Sequence, residues 1–338
     1  MTPHSAPRRA AIVPLLLLFA SACRNTEEAP ELRGPSYPAI TIDGTAYETA
    51  MRVSLPPEDP EEFDGLHNVF RLSERIVSGS EPHGQAAFER ISDMGVKTIV
   101  SVDGKIPDAE AAAALGMRYV HVPTQYKGMT KVELAELAKT FRELEGPFYV
   151  HCFHGKHRGP AAAAIGRIVL DGVDRQTAIS EMRQYCGTSS SYEGLYRDVA
   201  TAYLPSEKET DAMEFDFPAE RVPKGVTGSM VAISRANDNL DLLAKRSFAA
   251  DPEHPDLDAG NEAEQLLQAF ESALTLDEVE NGPRDYRGWF QDARDGSQAL
   301  VESLRGLERG EVGSVERAGL SWKAVKASCT DCHRVYRN

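Results

Sequence analysis

His151-Cys152-Phe153-His154-Gly155-Lys156-His157-Arg158 is the stretch that decides the fold. Just before it, Pro147-Phe148-Tyr149-Val150 is a short apolar run suited to a buried strand. Just after it, Gly159-Pro160 leads into Ala161-Ala162-Ala163-Ala164-Ile165, a helix start with Pro in its first turn. A strand, a tight loop and a helix N-terminus aim several backbone N–H groups at one point. Such a point binds phosphate and lowers the pKa of a thiol held there. Cys152 and Arg158, with five residues between them, put a nucleophile and a bidentate anion grip on the same loop.

Outward from this loop the pattern is α/β. Residues 69–72 and 76–79 read as paired strands, 97–102, 119–122 and 148–151 as further strands. Helices are expected over 85–94, 107–115 and 130–144, then over 161–170, 175–185 and 192–203. Alternating strands and helices imply a mostly parallel sheet flanked by helices, with ligands at the carboxyl ends of its strands.

The octapeptide resembles the signature loop of the cysteine-dependent protein tyrosine and dual-specificity phosphatases, His-Cys-x5-Arg. The element order from 67 to 204 is similar as well. The resemblance implies that Cys152 is the nucleophile that forms a phosphocysteine, preceded by His151. It also implies that Arg158 binds the phosphoryl group and that Phe153, His154, Gly155, Lys156 and His157 form the cradle. Lys156 is similar to a loop residue of inositol-phosphate and lipid phosphatases, which would favour highly anionic substrates; a solvated Lys is the plain alternative. Two positions depart from the family. Gly159 stands where a Ser or Thr usually follows the Arg, and no carboxylate occupies 123–128, where the general-acid Asp is expected. General acid catalysis is worth about 10²–10⁴ in rate, so the pocket is expected to bind phosphate better than it turns over. Asp103 and Asp108 on the preceding loop are the candidate substitutes.

The formal net charge of −15 argues against nucleic acid as a partner. Five cysteines, Cys23, Cys152, Cys186, Cys329 and Cys332, sit in five different contexts and do not form a disulfide framework. Cys186 reads as half-buried and structural, or else as a reversible disulfide partner of Cys152. Residues 1–22 read as an export signal: Arg8 and Arg9, then an apolar run over 10–20 too short to span a bilayer. Ala20-Ser21-Ala22-Cys23 resembles a bacterial lipoprotein cleavage site, so the expected location is periplasmic, anchored to a membrane through lipid on Cys23. Ala-Ser-Ala also suits ordinary signal-peptide cleavage. Residues 23–66 read as a tether and irregular segment, with a strand pair over 37–55 about Asp43-Gly44 and a solvated acidic connector over 56–62.

A mostly acidic linker over 205–225 precedes an all-α domain over 226–338. Its helices are expected over 227–249, 258–277, 284–308 and 314–336, with apolar stripes that pack a four-helix bundle. The last stripe carries Cys329-Thr330-Asp331-Cys332-His333, the haem attachment pattern, with His333 as the proximal iron ligand. A zinc site would need further ligands, and no second cysteine pair exists. A haem motif near the end of such a bundle resembles cytochrome c′ and the other class II c-type cytochromes. The resemblance implies one covalent haem c, Arg337 near a propionate and Met230 as sixth ligand; packing is the alternative role for Met230. The chain is thus expected to be an exported phosphatase acting on a phosphorylated substrate, fused to a haem bundle with a redox partner protein. The alternative is an electron-transfer or redox-sensing protein whose α/β domain only binds an anion.

Overall fold

The computed structural model describes Met1 and residues 37–336 apart from Pro223, Glu253 and Asp256. The expected export segment, the Cys23 anchor and Arg337 lie outside the described residues. Among the described residues, no helix is long and apolar enough to cross a membrane.

The strand pair expected over 37–55 does not form. Gly44, at φ +80°, instead turns the chain into α1 (Ala46–Ala50), where Thr45 and Glu48 close a capping box. That reciprocal cap satisfies two N–H groups locally and outcompetes a hairpin. The acidic connector ends in a strand, β1 (Glu61–Phe63), which pairs antiparallel with β2 (Leu66–Arg71). β3 (Ile76–Ser80) returns antiparallel to β2. Then follow α2 (Gln85–Asp93), β4 (Thr98–Ser101), α3 (Ala109–Ala114), β5 (Arg118–His121), α4 (Lys131–Glu143) and β6 (Phe148–Cys152). α5 (Arg158–Gly166) continues through a π-helical turn, and α6 (Arg175–Gln184) and α7 (Glu193–Thr201) complete the layer.

The sheet order is β1-β2-β3-β6-β4-β5, with β3, β6, β4 and β5 parallel. β6 is therefore central and buried on both faces. Its alternation sends Phe148, Val150 and Cys152 into the core with α4 to α7, and Tyr149 into the smaller core with α2 and α3. A strand buried on both sides, with a helix starting after it, is what places Cys152 at the carboxyl edge.

The linker carries α8 (Glu207–Asp211) and then lies along the edge strand. His121 donates its backbone N–H to Pro218 O at 2.8 Å, and Arg221 N–H donates to His121 Nδ1 at 3.0 Å. Beyond it come α9 (Gly225–Ala244), α10 (Ala259–Leu274), the short α11 (Asp277–Glu280), α12 (Arg284–Glu308) and α13 (Ser314–Tyr336). Leu240, Leu266, Phe270, Phe290, Leu300, Leu304 and Trp322 fill the core of this helical bundle. α11 was not foreseen: α10 stops at Thr275, and Leu276 opens a new turn.

Candidate active site

Cys152 ends β6 and Arg158 begins α5, and the loop between them is fixed by its backbone. Gly155 has φ +70°, and a Cβ there would lie 2.3 to 2.5 Å from the backbone of Gly79 and Ser80. Only glycine meets both demands. Asn68 Nδ2 donates to Gly155 O at 2.9 Å and to Cys186 O at 3.1 Å. Thr188 Oγ1 donates to Lys156 O at 2.6 Å, and Glu81 N–H donates to Phe153 O at 3.0 Å. With the loop carbonyls tied outward in this way, the N–H groups of His157 and Gly159 face the Cys152 thiol.

Arg158 and Cys152 are both buried, at 3% and 2% exposure. Arg158 Nη2 donates to Asp103 Oδ2 at 2.5 Å and to Tyr126 Oη at 2.6 Å, and the guanidinium lies 3.9 Å over the Tyr126 ring. Phe153 N–H donates to the same Asp103 Oδ2 at 3.2 Å. Burial raises the Asp103 carboxyl, but Arg158 and the N–H groups of Lys105 and Phe153 outweigh it and hold the group below the usual carboxylate range. Asp103 is therefore an ionised partner that orients Arg158, and not a proton donor. Asp108 is elsewhere: it accepts from Ala111 N–H as the cap of α3.

The expectation of a low thiol pKa is corrected. Burial pushes the Cys152 thiol up; Arg158 and the N–H groups of Gly159 and His157 pull it down without cancelling that, and Asp103 adds to the rise. The main cause is burial of the thiol inside the fold, with the nearby Asp103 charge a smaller addition. Burial also depresses His151 and His157 to about 3, so neither ring carries charge near neutral pH. His151 Nε2 is hydrogen-bonded to Tyr119 Oη at 2.5 Å, on the side of the sheet away from the loop. His154 packs edge-on to Phe153, with ring centroids 4.7 Å apart, and Lys156 is exposed at the rim. Cys186 is fully buried rather than half-buried, and is a free thiol raised by burial.

Both departures from the phosphatase pattern acquire physical reasons. A Cβ on Gly159 would sit 2.9 Å from Cys152 N and 3.1 Å from His151 C, so α5 packs too close to β6 for a Ser or Thr. From the 123–128 loop, the side chain that reaches Arg158 is Tyr126. Sequence reasoning missed Glu81. It follows β3 directly, its neighbour Ser80 pairs with Cys152, and burial raises its carboxyl to about 7. A carboxylate just after a strand that pairs with the Cys152 strand was the signal available.

The second cluster of expected residues lies at the far end of the bundle. Met230, Cys329, Cys332 and His333 line one cavity of ≈ 620 Å³, together with Ile233, Tyr286, Phe290 and Tyr336. Burial raises both thiols. Among the described residues no three His, Cys, Asp or Glu side chains gather as a metal site.

No protein-family model matches the chain. A dual specificity protein phosphatase, TpbA of Pseudomonas aeruginosa strain UCBPP-PA14, is 29% identical over 151 residues, which is 43% of this chain and 67% of that protein. Its counterpart in strain PAO1 is 30% identical over 150 residues, 43% of this chain and 66% of that protein. The chain thus spans about two thirds of the length of these relatives. A crystal structure of P. aeruginosa TpbA is similar at 27% identity and a TM-score of 0.36, covering 43% of this chain and 89% of that one. The kinship rests on the sequence identity and not on that superposition.

Proposed function

We propose that this chain, whose N-terminal domain belongs to the cysteine-based dual-specificity phosphatase superfamily, hydrolyses phosphomonoesters through a phosphocysteine on Cys152. The observation that carries this reading is the loop itself: Cys152 and Arg158 at its two ends, with Arg158 aimed by the 2.5 Å bond to Asp103. The Cys152 thiolate attacks phosphorus, the P–O bond to the leaving group breaks, and Arg158 with the loop N–H groups holds the equatorial oxygens. With no carboxylate in 123–128, the leaving oxygen takes its proton from water, so esters with good leaving groups react fastest. Water then attacks the phosphocysteine, releasing inorganic phosphate and restoring the thiol. Vanadate-sensitive hydrolysis of an aryl phosphate by the reduced protein, lost in Cys152→Ser, is the expected result.

A second reading is favoured by one observation, the raised Cys152 thiol beside an ionised Asp103. A thiol protonated at neutral pH leaves a domain that binds an anion without cleaving it. Phosphate binding with no hydrolysis, even after full thiol reduction, would select this alternative.

For the C-terminal domain the proposal is a covalent haem c and an electron-transfer or sensing role with a redox partner protein. Cys329 and Cys332 would bond the porphyrin, His333 would be proximal, Met230 the sixth ligand and Arg337 a propionate partner. The residues fit: the two thiols stand three positions apart on α13 and line a mostly apolar cavity of ≈ 620 Å³. That volume lies within the roughly 300–1,000 Å³ of ligand sites. Bound there, haem would supply one-electron transfer or gas binding. A pyridine haemochrome assay should find one haem c per chain; a colourless protein after expression with maturation machinery ends this part. Export to the periplasm with lipid on Cys23 completes the proposal, and mass spectrometry of the mature N-terminus tests it.

A further inference from the structure

Tyr126 stands in the 123–128 loop and packs against both domains, on the core of the α/β layer and on the core of the bundle. The Tyr192 ring lies 5.5 Å from it, and is itself 4.3 Å from His157 of the cradle and 5.8 Å from His254, between α9 and α10. The backbone on either side of Tyr126 is pinned from α7. Met129 N–H donates to Asp198 Oδ2 at 2.6 Å, and a Cβ on Gly194 would lie 1.7 Å from Lys127 O. With the turn fixed, the Tyr126 side chain is the part that can move, and the bundle packs on it. The bundle is docked on the loop after β4 through α10. Lys105 Nζ lies 2.8 Å from Glu264 Oε2, and Ile106 N–H donates to Gln268 Oε1 at 2.9 Å.

The Tyr126 hydroxyl sits where a substrate needs the arginine. Arg158 Nη2 has two hydrogens, and it donates to Asp103 Oδ2 at 2.5 Å and to Tyr126 Oη at 2.6 Å. A guanidinium grips a phosphoryl group in two-pronged fashion through one of two planar forks, Nε with Nη2 or Nη1 with Nη2. Both forks use Nη2, so such a grip requires one of its two bonds to break. Asp103 is the firmer partner: it is ionised, and it also accepts from Lys105 N–H at 3.0 Å and from Phe153 N–H at 3.2 Å. A phenol oxygen is a weaker acceptor for a cation than a carboxylate. The bond to Tyr126 is the one that yields.

We propose that Tyr126 is an internal plug: the docked bundle holds its hydroxyl on Arg158, and the site takes a phosphoryl group only when that ring turns away. This rests on the phosphatase reading of Arg158 and adds to it a control of entry exerted by the other domain.

The first test reads binding without turnover, on the full chain carrying Cys152→Ser. Calorimetry of inorganic phosphate should give a Kd about tenfold lower once Tyr126→Phe is added, because a competing hydrogen bond to a charged group is gone. The phenyl ring keeps the packing. An unchanged Kd means that the hydroxyl does not compete, and a higher Kd means that it supports the anion; either result overturns the plug. Phosphate binding by neither protein is a failure of the phosphatase reading itself, and the plug falls with it. The second test ties the plug to the bundle. Gln268→Ala, an uncharged change, removes the acceptor for Ile106 N–H and loosens α10. It should lower the phosphate Kd about threefold, the scale of one ordinary hydrogen bond. In the Tyr126→Phe background it should do nothing, since no plug remains to release. A gain of the same size in both backgrounds, or in neither, rejects control by the bundle.

Discussion

Cys152 with Arg158 and Cys329 with Cys332 are two pairs of functional groups held by opposite means. The first pair is separated by a loop whose every turn is enforced: Gly155 at φ +70° against Gly79, Asn68 on the Gly155 carbonyl, Thr188 on the Lys156 carbonyl. The second pair is separated by one turn of the regular helix α13, and only the spacing of three keeps both thiols on one face. A loop site stores its geometry in unusual backbone and close contacts, and a helix site stores it in periodicity. The first should fail at a single added methyl group, and the second should tolerate changes between its members.

The largest expected contrast comes from alanines placed inside each pair. Gly155→Ala combines overpacking against the Gly79 and Ser80 backbone with a left-handed residue, together roughly 2–5 kcal/mol. Urea unfolding should show that loss, and phosphate binding should vanish with it. Thr330→Ala, on an exposed helical position between Cys329 and Cys332, should shift stability by no more than ~0.5 kcal/mol. Equal effects would mean that the loop is as forgiving as the helix.

Asp103→Asn should come next. It leaves Arg158 buried without its counter-ion, and breaking a buried pair by one partner costs about 3 kcal/mol or more. It also removes a charge that raises the Cys152 thiol and frees Arg158 to lower it, so the thiol moves down. The rate of iodoacetamide alkylation against pH reads this: its rising limb should shift to lower pH in the variant. A limb that stays or moves up would detach Asp103 from the Cys152 thiol.

Gly159→Ser should be smaller. It supplies the hydroxyl that relatives of the resembled family place there, yet its Cβ would press on Cys152 N at 2.9 Å. We expect a stability loss of about 1–3 kcal/mol and lower turnover of aryl phosphate, not a gain. A faster enzyme would show that α5 can move away from β6.

Much of this was legible in the sequence because it is periodic or local. The ends of α12 and α13 coincide with the residues expected, since Pro283 and the Gly310 to Gly313 turn punctuate them. β6, the loop and α5 were legible from one apolar run and one glycine-bearing motif. The hairpin over 37–55 was misread because Asp43-Gly44 serves a turn and a helix entry equally well, and only Thr45 with Glu48 separates them. What stayed hidden was all long-range: Asp103 on Arg158 across 55 positions, Glu81 beside the cradle, and Lys105 paired with Glu264 of the bundle. Such pairings carry no spacing rule. The strand register Ser80 to Cys152 that brings Glu81 near exists only once the sheet is assembled.

The smallest effect concerns that same Glu81, and its sign can be worked out. Burial raises its carboxyl to about 7 from an ordinary 4.5, with Asp103 and Glu264 adding to the rise and Lys105 opposing it. The folded state therefore holds this proton more tightly than the unfolded chain. Its contribution to stability is complete below pH 4.5, falls as pH rises, and is gone above about 7. Buried His121, His151 and His157, and the exposed His83, act in the other direction. Their folded values are depressed below 6.5, so they destabilise at low pH and stop doing so as pH rises through that range. Tm of the wild type alone therefore mixes two opposed slopes. The difference between wild type and Glu81→Gln cancels His121, His151 and His157, which the variant keeps; His83, whose Nε2 lies 3.7 Å from Glu81 Oε2, is replaced by Gln in both proteins so that it drops out. That difference should decline steadily from pH 4.5 to 7 and level off on either side. A difference that instead grows with pH would mean that Lys105 keeps Glu81 ionised, clamped as one link of the chain from the cradle to Glu264 and Arg305.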